Sequence, residues 1–277
     1  MLIKWSVRFI LSATLLLAFT GCSNLTTLFF FPQQPYQHTP QYYGLEWQSI
    51  RHEAKDGITL QSWYLPASQT SLGTVLFMHG NGQNISTHIN SVKWLPKAGY
   101  NVFLLDYREY GGSDGTAILP DVLWDIDSAL RWVLAHDEDK PVFLLGQSIG
   151  AALTAAYVPQ SPYKDKISGV ILDACLLGYQ EIAGDMMSRN WLTWALQLPT
   201  YLLPSGQDPQ NHIASISPTP LLMMHSRDDQ VIPYEQGKAV YELAQEPKQW
   251  LDLAGSHIQT FQFPSVRDAL LKFMNRQ

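Results

Sequence analysis

The chain has 277 residues, 46% of them hydrophobic, and a formal net charge of −6 at pH 7. A chain of this length can bury one substantial hydrophobic core, so we expect one main domain. The negative charge and the scattered lysines and arginines exclude the clustered basic surface that nucleic-acid binding requires. We therefore expect no nucleic-acid partner.

The N-terminus has the anatomy of an export signal. Two basic residues precede an uncharged apolar run from Phe9 to Phe19, which is too short to span a bilayer as a helix of about 20 residues. The following Thr20-Gly21-Cys22 resembles the cleavage site of bacterial lipoproteins, whose cysteine carries the lipid. An ordinary secretory signal or an uncleaved anchor is the alternative.

These features predict a lipoprotein signal peptide over residues 1–21 and a tether over residues 22–44. Acylation of Cys22, with palmitate for instance, would anchor the protein in the bacterial cell envelope. Ser23 resembles the sorting pattern of outer-membrane lipoproteins, which places the protein in the outer membrane, facing the periplasm. Cys175 is the only other cysteine, so the mature domain has no internal disulfide.

Residues 45–277 are predicted to form an α/β domain. Glu46–His52 and Thr59–Tyr64 are predicted to pair as an antiparallel hairpin. Apolar strands then alternate with helices, which predicts a mostly parallel sheet with helices on both faces. The predicted strands are Thr74–Met78, Asn101–Asp106, Val142–Leu145, Gly169–Asp173, Pro220–His225 and Gln249–Leu253. The predicted helices are Ile85–Ala98, Asp121–His136, Ile149–Val158, Tyr234–Ala244 and Ser265–Asn275, with Asp121 and Ser265 as helix N-caps.

A serine stands at one predicted strand-to-helix turn, in the sequence Gly146-Gln147-Ser148-Ile149-Gly150. A buried strand and a helix that meet in so tight a turn crowd the positions two before and two after the serine, which only glycine relieves. The helix N-terminus favours the negative charge that develops during acyl transfer. The pattern therefore predicts Ser148 as a nucleophile.

An activated serine needs a base and a carboxylate that orients the base. Of the eight histidines, His257 is the best placed, because it lies in a small-residue loop directly after the last predicted strand. His79 and His225 also end strands, but His79 belongs to a glycine-rich loop and His225 lies inward of the carboxylates that follow it. Those carboxylates, Asp228 and Asp229, are both candidates for the acid.

The oxyanion of the reaction would be stabilised by backbone N–H groups. One belongs to Ile149, directly after the nucleophile. We expect the other in the loop from His79 to Asn84, where glycines let the backbone turn its N–H groups inward, and we favour Asn81.

Taken together, these residues resemble the α/β-hydrolase superfamily, and most closely its small serine-hydrolase members of the serine-aminopeptidase type. The resemblance extends from Glu46 to Phe273 and includes the stretch from Asp106 to Gly115. It selects Asp229 as the acid, with Asp228 as the alternative, because the acid stands four residues after a histidine and four before a proline. The chain order Ser148, Asp229, His257 is that of the superfamily.

The resemblance has further implications for the rest of the chain. It implies a short helical cap over residues 176–217, whose apolar and aromatic residues serve as a lid or as a surface facing acyl chains or the membrane. Asp106 and Arg108 would be a pair that stabilises the fold. Glu109 stands where the family usually has glycine, which would alter the mouth of the site.

The sequence thus predicts a carboxylesterase-like serine hydrolase that cleaves a small acyl substrate through an acyl-enzyme intermediate, without metal or organic cofactor. A peptidase or a thioesterase on the same three residues is the alternative within enzymes. A peptidase that acts on free amino termini would need an acidic anchor in the cap, which Glu181 and Asp185 could provide. A non-catalytic binding module tethered to the membrane is the alternative outside enzymes.

Overall fold

The computed structural model describes residues 25–189 and 200–276, and these residues contain one sheet of eight strands. The predicted signal peptide and Cys22 lie outside the described residues. The strands are β1 (Gln48–Glu53), β2 (Thr59–Leu65), β3 (Gly73–Met78), β4 (Tyr100–Leu105), β5 (Val142–Gln147), β6 (Ile167–Asp173), β7 (Leu221–Ser226) and β8 (Lys248–Leu253). Their order is β1-β2-β4-β3-β5-β6-β7-β8.

The pairing of the strands matches the prediction. Strand β2 pairs antiparallel with β1 and with β4, whereas β4, β3, β5, β6, β7 and β8 pair in parallel. The central strands are buried on both faces, which explains why they are continuously apolar in sequence. Parallel strands bring their carboxyl ends to one edge of the sheet, where the predicted site residues stand.

Helices cover both faces of the sheet. The described helices are α1 (Ile85–His88), α2 (Val122–His136), α3 (Ile149–Tyr157), α4 (Tyr179–Ser188), α5 (Pro209–His212), α6 (Tyr234–Leu243) and α7 (Pro264–Met274). Alternate residues of β3 point to opposite sides, so Val75 packs in the core beneath α1 and α7, whereas Leu76 packs in the core beneath α2 and α3. Among the described residues, no helix is long and apolar enough to cross a bilayer.

The helix predicted over Ile85–Ala98 is wrong beyond His88. The chain continues in 3₁₀ turns at Ile89–Ser91 and Pro96–Ala98. Asn90 Nδ2 donates to the carbonyl of Thr87, which in a continued α-helix would accept from a backbone N–H. The side chain therefore competes with the helical hydrogen bond. Pro96 also cannot donate an N–H to a helix.

Of the two predicted N-caps, Ser265 is wrong, and Asp121 has the predicted position without a side-chain capping hydrogen bond. The last helix, α7, begins at Pro264, so Ser265 lies inside its first turn and Phe263 precedes the helix. Asp121 stands at the N-cap position of α2, as predicted, but its side chain makes no capping hydrogen bond and instead lies 3.8 Å from the Arg108 guanidinium. The charge of the arginine attracts this carboxylate away from the helix N-terminus.

The expected pair of Asp106 and Arg108 does not form. The Arg108 guanidinium donates to Asp125 at 2.7 Å and to Asp56 at 3.0 Å. Asp106 instead accepts from the backbone N–H of Ile85 at 2.9 Å and from the Tyr36 hydroxyl at 3.0 Å. Residues two apart share a face only while a strand continues, and β4 ends at Leu105, so Asp106 and Arg108 need not point the same way.

The described part of the predicted tether is in contact with the domain. We call residues 25–37 the N-terminal strap. The backbone N–H of Leu119 donates to Thr26 Oγ1, and the Tyr36 hydroxyl donates to Asp106. The ring of Phe29 lies 4.9 Å from that of Tyr179 in α4, so the strap also contacts the first helix of the segment predicted as the cap.

Candidate active site

Ser148 occupies the sharp turn between β5 and α3. Its backbone has φ 57° and ψ −120°, a conformation that a residue with a side chain adopts only at a cost and that is typical of functional sites. A Cβ on Gly146 would lie 2.4 Å from the carbonyl oxygen of Gly150, and one on Gly150 would lie 2.2 Å from the carbonyl oxygen of Met78. The two glycines therefore permit the strand and the helix to approach each other around the serine.

His257 connects Ser148 to Asp229. Its Nε2 lies 2.9 Å from the Ser148 hydroxyl, and its Nδ1 lies 2.7 Å from Asp229 Oδ2. The Asp229 side chain is fully buried, while 14% of the His257 side chain is exposed. The three side chains predicted from the sequence thus meet at the carboxyl edge of the sheet, although Ser148 and His257 are 109 positions apart.

The Asp229 carboxylate is held on both of its oxygens. Oδ1 accepts from the backbone N–H groups of Val231 and Ile232 at 2.8 and 2.9 Å. Burial by itself would raise the pKa of Asp229, but His225, His257 and the N–H of Val231 outweigh it and hold the pKa well below its ordinary value. Asp229 is therefore ionised at neutral pH and can hold a proton on the facing nitrogen of His257.

The alternative acid, Asp228, points elsewhere. Its Oδ2 accepts from the backbone N–H of Gly255 at 3.1 Å, and the residue is exposed. Asp228 therefore supports the loop that carries His257, whereas Asp229 contacts the imidazole itself.

The predicted oxyanion loop lies beside the serine. A Cβ on Gly80 would be 3.5 Å from the Cβ of Ser148, so the backbone that leads to Asn81 passes close to the hydroxyl. Ile149 begins α3, and the first N–H groups of a helix have no acceptor within the helix. Both segments can therefore direct N–H groups to the space in front of Ser148.

A second buried carboxylate, Asp173, was missed in the sequence. Its Oδ2 accepts from Gln147 Nε2 and from Thr260 Oγ1, each at 2.7 Å, and burial raises its pKa. Asp173 thereby links the residue before Ser148 to the segment that follows His257. An aspartate at the end of an otherwise apolar strand was the signal that could have identified it.

Glu109 has a backbone φ of 74°, in the left-handed region that favours glycine, which agrees with the glycine expected here from the resemblance. Its Oε2 accepts from the backbone N–H of Ala117 at 2.8 Å. This hydrogen bond stabilises the loop between Glu109 and Ala117. Among the described residues, no group of three or more His, Cys, Asp and Glu side chains is arranged to hold a metal ion.

The doubly covered parallel sheet and the serine in its strained turn define a serine hydrolase of the α/β-hydrolase fold. Residues 69–217, more than half of the chain, match the model of a hydrolase family described as serine aminopeptidase, S33. The chain belongs to this family, and the fold predicted from the sequence is confirmed.

Similar proteins span most of the chain. The uncharacterized protein YfhR of Escherichia coli O157:H7 is 37% identical over 221 residues, which are 77% of this chain and 74% of that protein. Lysophosphatidylserine lipase ABHD12 of Danio rerio is 26% identical over 80% of this chain and 58% of its own length. Among solved structures, an esterase of Pyrococcus furiosus superposes with a TM-score of 0.72 at 21% identity, over 89% of this chain and 97% of that one.

Proposed function

We propose that this protein is a carboxylesterase-like enzyme that cleaves an ester or a related acyl bond through Ser148, His257 and Asp229. The observation that carries the proposal is the continuous line of hydrogen bonds from Asp229 through His257 to the hydroxyl of a serine held at positive φ. This combination costs backbone strain and has no evident benefit for packing.

In the first half of the reaction, Ser148 Oγ attacks the acyl carbon while His257 Nε2 takes the hydroxyl proton. Asp229 accepts a hydrogen bond from Nδ1 and stabilises the imidazolium that forms. The carbonyl electrons move to the oxygen, which the N–H groups of Asn81 and Ile149 stabilise by about 3 kcal/mol each.

The tetrahedral intermediate then collapses. Its bond to the leaving alcohol breaks, the alcohol takes the proton from His257, and the acyl group remains on Ser148. Water attacks the acyl carbon in the second half and gives a proton to His257, and that proton returns to Ser148 Oγ as the acid leaves.

Each of the two acidic side chains that could anchor an amino terminus in the predicted cap accepts a hydrogen bond from a neutral amide. Glu181 accepts a hydrogen bond from Gln210 at 2.9 Å, and Asp185 accepts one from Gln236. Neither amide neutralises the carboxylate that it contacts, and Glu181 Oε2 is buried without a hydrogen-bond partner among the described residues, so these contacts leave the peptidase alternative open. The names of two similar proteins, an esterase and a lysophosphatidylserine lipase, are what supports ester cleavage.

The proposal is tested with Ser148→Ala and p-nitrophenyl esters of two to twelve carbons. We expect the loss of nearly all turnover, on the order of a million-fold. A matched control is Ser128→Ala, which removes another buried hydroxyl, on α2, and should retain activity. Unchanged turnover in Ser148→Ala would refute the assignment.

A fluorophosphonate probe separates an enzyme from a binding module of the same fold. The enzyme should be labelled at Ser148 and lose the label in Ser148→Ala, whereas a binding module would remain unlabelled. Thioester and amide analogues of the best ester then rank the thioesterase and peptidase alternatives.

We also propose that Cys22 is acylated after cleavage of residues 1–21 and anchors the protein in the outer membrane, facing the periplasm. The apolar run before Thr20-Gly21-Cys22 supports this proposal. Cells given labelled palmitate should incorporate the label into the wild-type chain and not into Cys22→Ala. Equal incorporation in both chains, or none in either, would count against lipidation.

A further inference from the structure

The side chain of Asn81 joins the oxyanion loop to the N-terminal strap. Its Nδ2 donates to the carbonyl of Phe29 at 2.7 Å, and its Oδ1 accepts from the N–H of Phe31 at 2.9 Å. The Tyr110 hydroxyl donates to the same Oδ1 at 3.0 Å. A single amide thus uses both of its ends to hold two strap residues.

The residues that follow Asn81 are bound to the strap as well. The backbone N–H of Gln33 donates to the carbonyl of Gln83 at 3.2 Å. Asn84 Nδ2 donates to the carbonyls of Gln33 and Pro35 at 2.8 and 3.0 Å. The loop therefore has a second segment of chain hydrogen-bonded along its length.

An oxyanion donor is effective only when it is held to within about half an ångström of its productive position. We propose that the strap is a positioning element for the oxyanion loop and that the Asn81 side chain is the positioning residue that couples the two. The inference rests on the proposed function, in which the Asn81 N–H stabilises the oxyanion. The Asn81 side chain itself touches no reacting atom in this scheme.

Asn81→Ala tests the inference, because it keeps the backbone N–H and removes the coupling. We expect kcat per active site to fall about 10-fold with KM changed less than twofold, where active sites are counted by fluorophosphonate titration. The matched control is Asn101→Ala, since Asn101 accepts from the N–H of Ala67 at 2.9 Å near the opposite edge of the sheet. This control should lower the melting temperature without changing kcat per active site.

Two results would overturn the inference. If Asn81→Ala lowers only the melting temperature, as Asn101→Ala does, the Asn81 side chain is structural and the positioning role fails alone. If wild-type protein shows neither turnover nor labelling, the proposed function fails and the inference fails with it.

A different observation concerns the outer surface of the strap. Leu25, Leu28 and Phe31 are 41%, 64% and 62% exposed, whereas Thr26 and Phe30 are buried against the domain. Residues Leu25–Phe29 form a 3₁₀ helix, in which side chains three apart lie on one side. The strap therefore presents a row of large apolar side chains to solvent.

The preceding chain indicates what covers this row. No Lys, Arg, Asp or Glu occurs between Phe9 and Leu45, so nothing charged in this segment opposes contact with lipid. Cys22 stands three residues before Leu25, a distance that an extended chain spans in about 10 Å. The inference rests on the proposed membrane anchor: with Cys22 acylated, or with the apolar run retained, the bilayer is brought to the strap.

We infer that Leu25, Leu28 and Phe31 rest on the surface of a lipid bilayer. Burial of such apolar side chains in the bilayer surface is favourable, which would fix the orientation of an anchored domain. The backbone N–H of Phe31 donates a hydrogen bond to the Asn81 side chain. Contact of Phe31 with the bilayer would therefore hold the mouth of the site at the membrane, where amphiphilic esters are found.

The test places an environment-sensitive label on Leu28→Cys in the full chain, reconstituted in phosphatidylethanolamine and phosphatidylglycerol vesicles. Leu72→Cys is the matched control, because Leu72 is 55% exposed and stands just before β3, away from the carboxyl edge of the sheet. The unsubstituted chain serves as the blank and measures any labelling of its own two cysteines, Cys22 and the buried Cys175. Brominated lipids should quench the label at residue 28 and not at residue 72. Equal quenching at both positions, or none at 28, would overturn the inference.

Discussion

The backbone N–H of Ser148 donates a hydrogen bond of 2.9 Å to the backbone carbonyl of Asp173. The side chain of Asp173 accepts from Gln147 and from Thr260. One residue at the end of β6 therefore fixes the turn that carries the serine and the segment that follows the histidine.

Asp173→Asn should be tolerated and Asp173→Ala should not. Both hydrogen bonds end on a single oxygen, which an amide can supply, and burial raises the pKa of Asp173, which disfavours its charged form. Alanine would leave two donors unsatisfied, at a cost of about 2 kcal/mol or more in stability. Urea unfolding and ester kinetics measure both variants, and equal losses in the two would show that the charge itself matters.

Asp229→Asn should reduce kcat about 10⁴-fold, because an amide cannot hold the proton on the correct nitrogen of His257. Asp228→Asn is the matched control, because it removes one negative charge from the adjacent residue. The Asp228 carboxylate contacts the N–H of Gly255 and not the imidazole. In this control, kcat should fall by less than about fivefold. Steady-state kinetics with a short ester distinguishes the two, and a larger loss in Asp228→Asn would reverse the assignment of the acid.

Gly150→Ala should prevent correct folding of the turn around Ser148. The new methyl group would stand 2.2 Å from a backbone carbonyl oxygen of Met78, which cannot move without shifting β3. We expect a loss of stability above about 3 kcal/mol. Gly206→Ala is the matched control, because a Cβ there meets nothing within 4 Å. Thermal unfolding of the soluble fractions provides the comparison, and near-equal melting temperatures would contradict the close approach seen here.

His52 should make stability depend on pH. Burial, with a contribution from Arg131, lowers its pKa to about 4, whereas an unfolded histidine titrates near 6.5. Between these values the unfolded chain binds a proton that the folded chain does not, so stability is highest above pH 6.5 and falls as the pH drops toward 4.

His52→Gln should remove part of this dependence. Between pH 7.5 and 4.5, wild type should lose about 2 kcal/mol more unfolding free energy than the variant. His38→Gln, which removes an exposed imidazole, should behave as wild type. Urea denaturation at the two pH values is the measurement, and parallel losses in wild type and His52→Gln would exclude His52 as the source.

Local patterns were enough to predict most of the fold. The period and apolar content of each strand, together with the alternation of strands and helices, led to the mostly parallel sheet. The prediction was wrong for Ile85–Ala98, where Asn90 takes a helical carbonyl, and for Ser265, which lies inside a helix rather than at its start. Side-chain hydrogen bonds to the backbone are set by local geometry that composition does not reveal.

The sequence by itself determined the fold class and the strained turn that carries Ser148, because a serine between two glycines at the end of a buried strand can fold in few ways. Only the tertiary structure decided which carboxylate faces His257, that Asp173 joins two parts of the site, and that the strap is bonded to the oxyanion loop. The physical reason is the short range of the preferences that a sequence pattern reveals, because dihedral preferences and local packing act between neighbours in the chain. Contacts between residues 50 or more positions apart, such as Phe31 and Asn81, exist only once the sheet has brought them together.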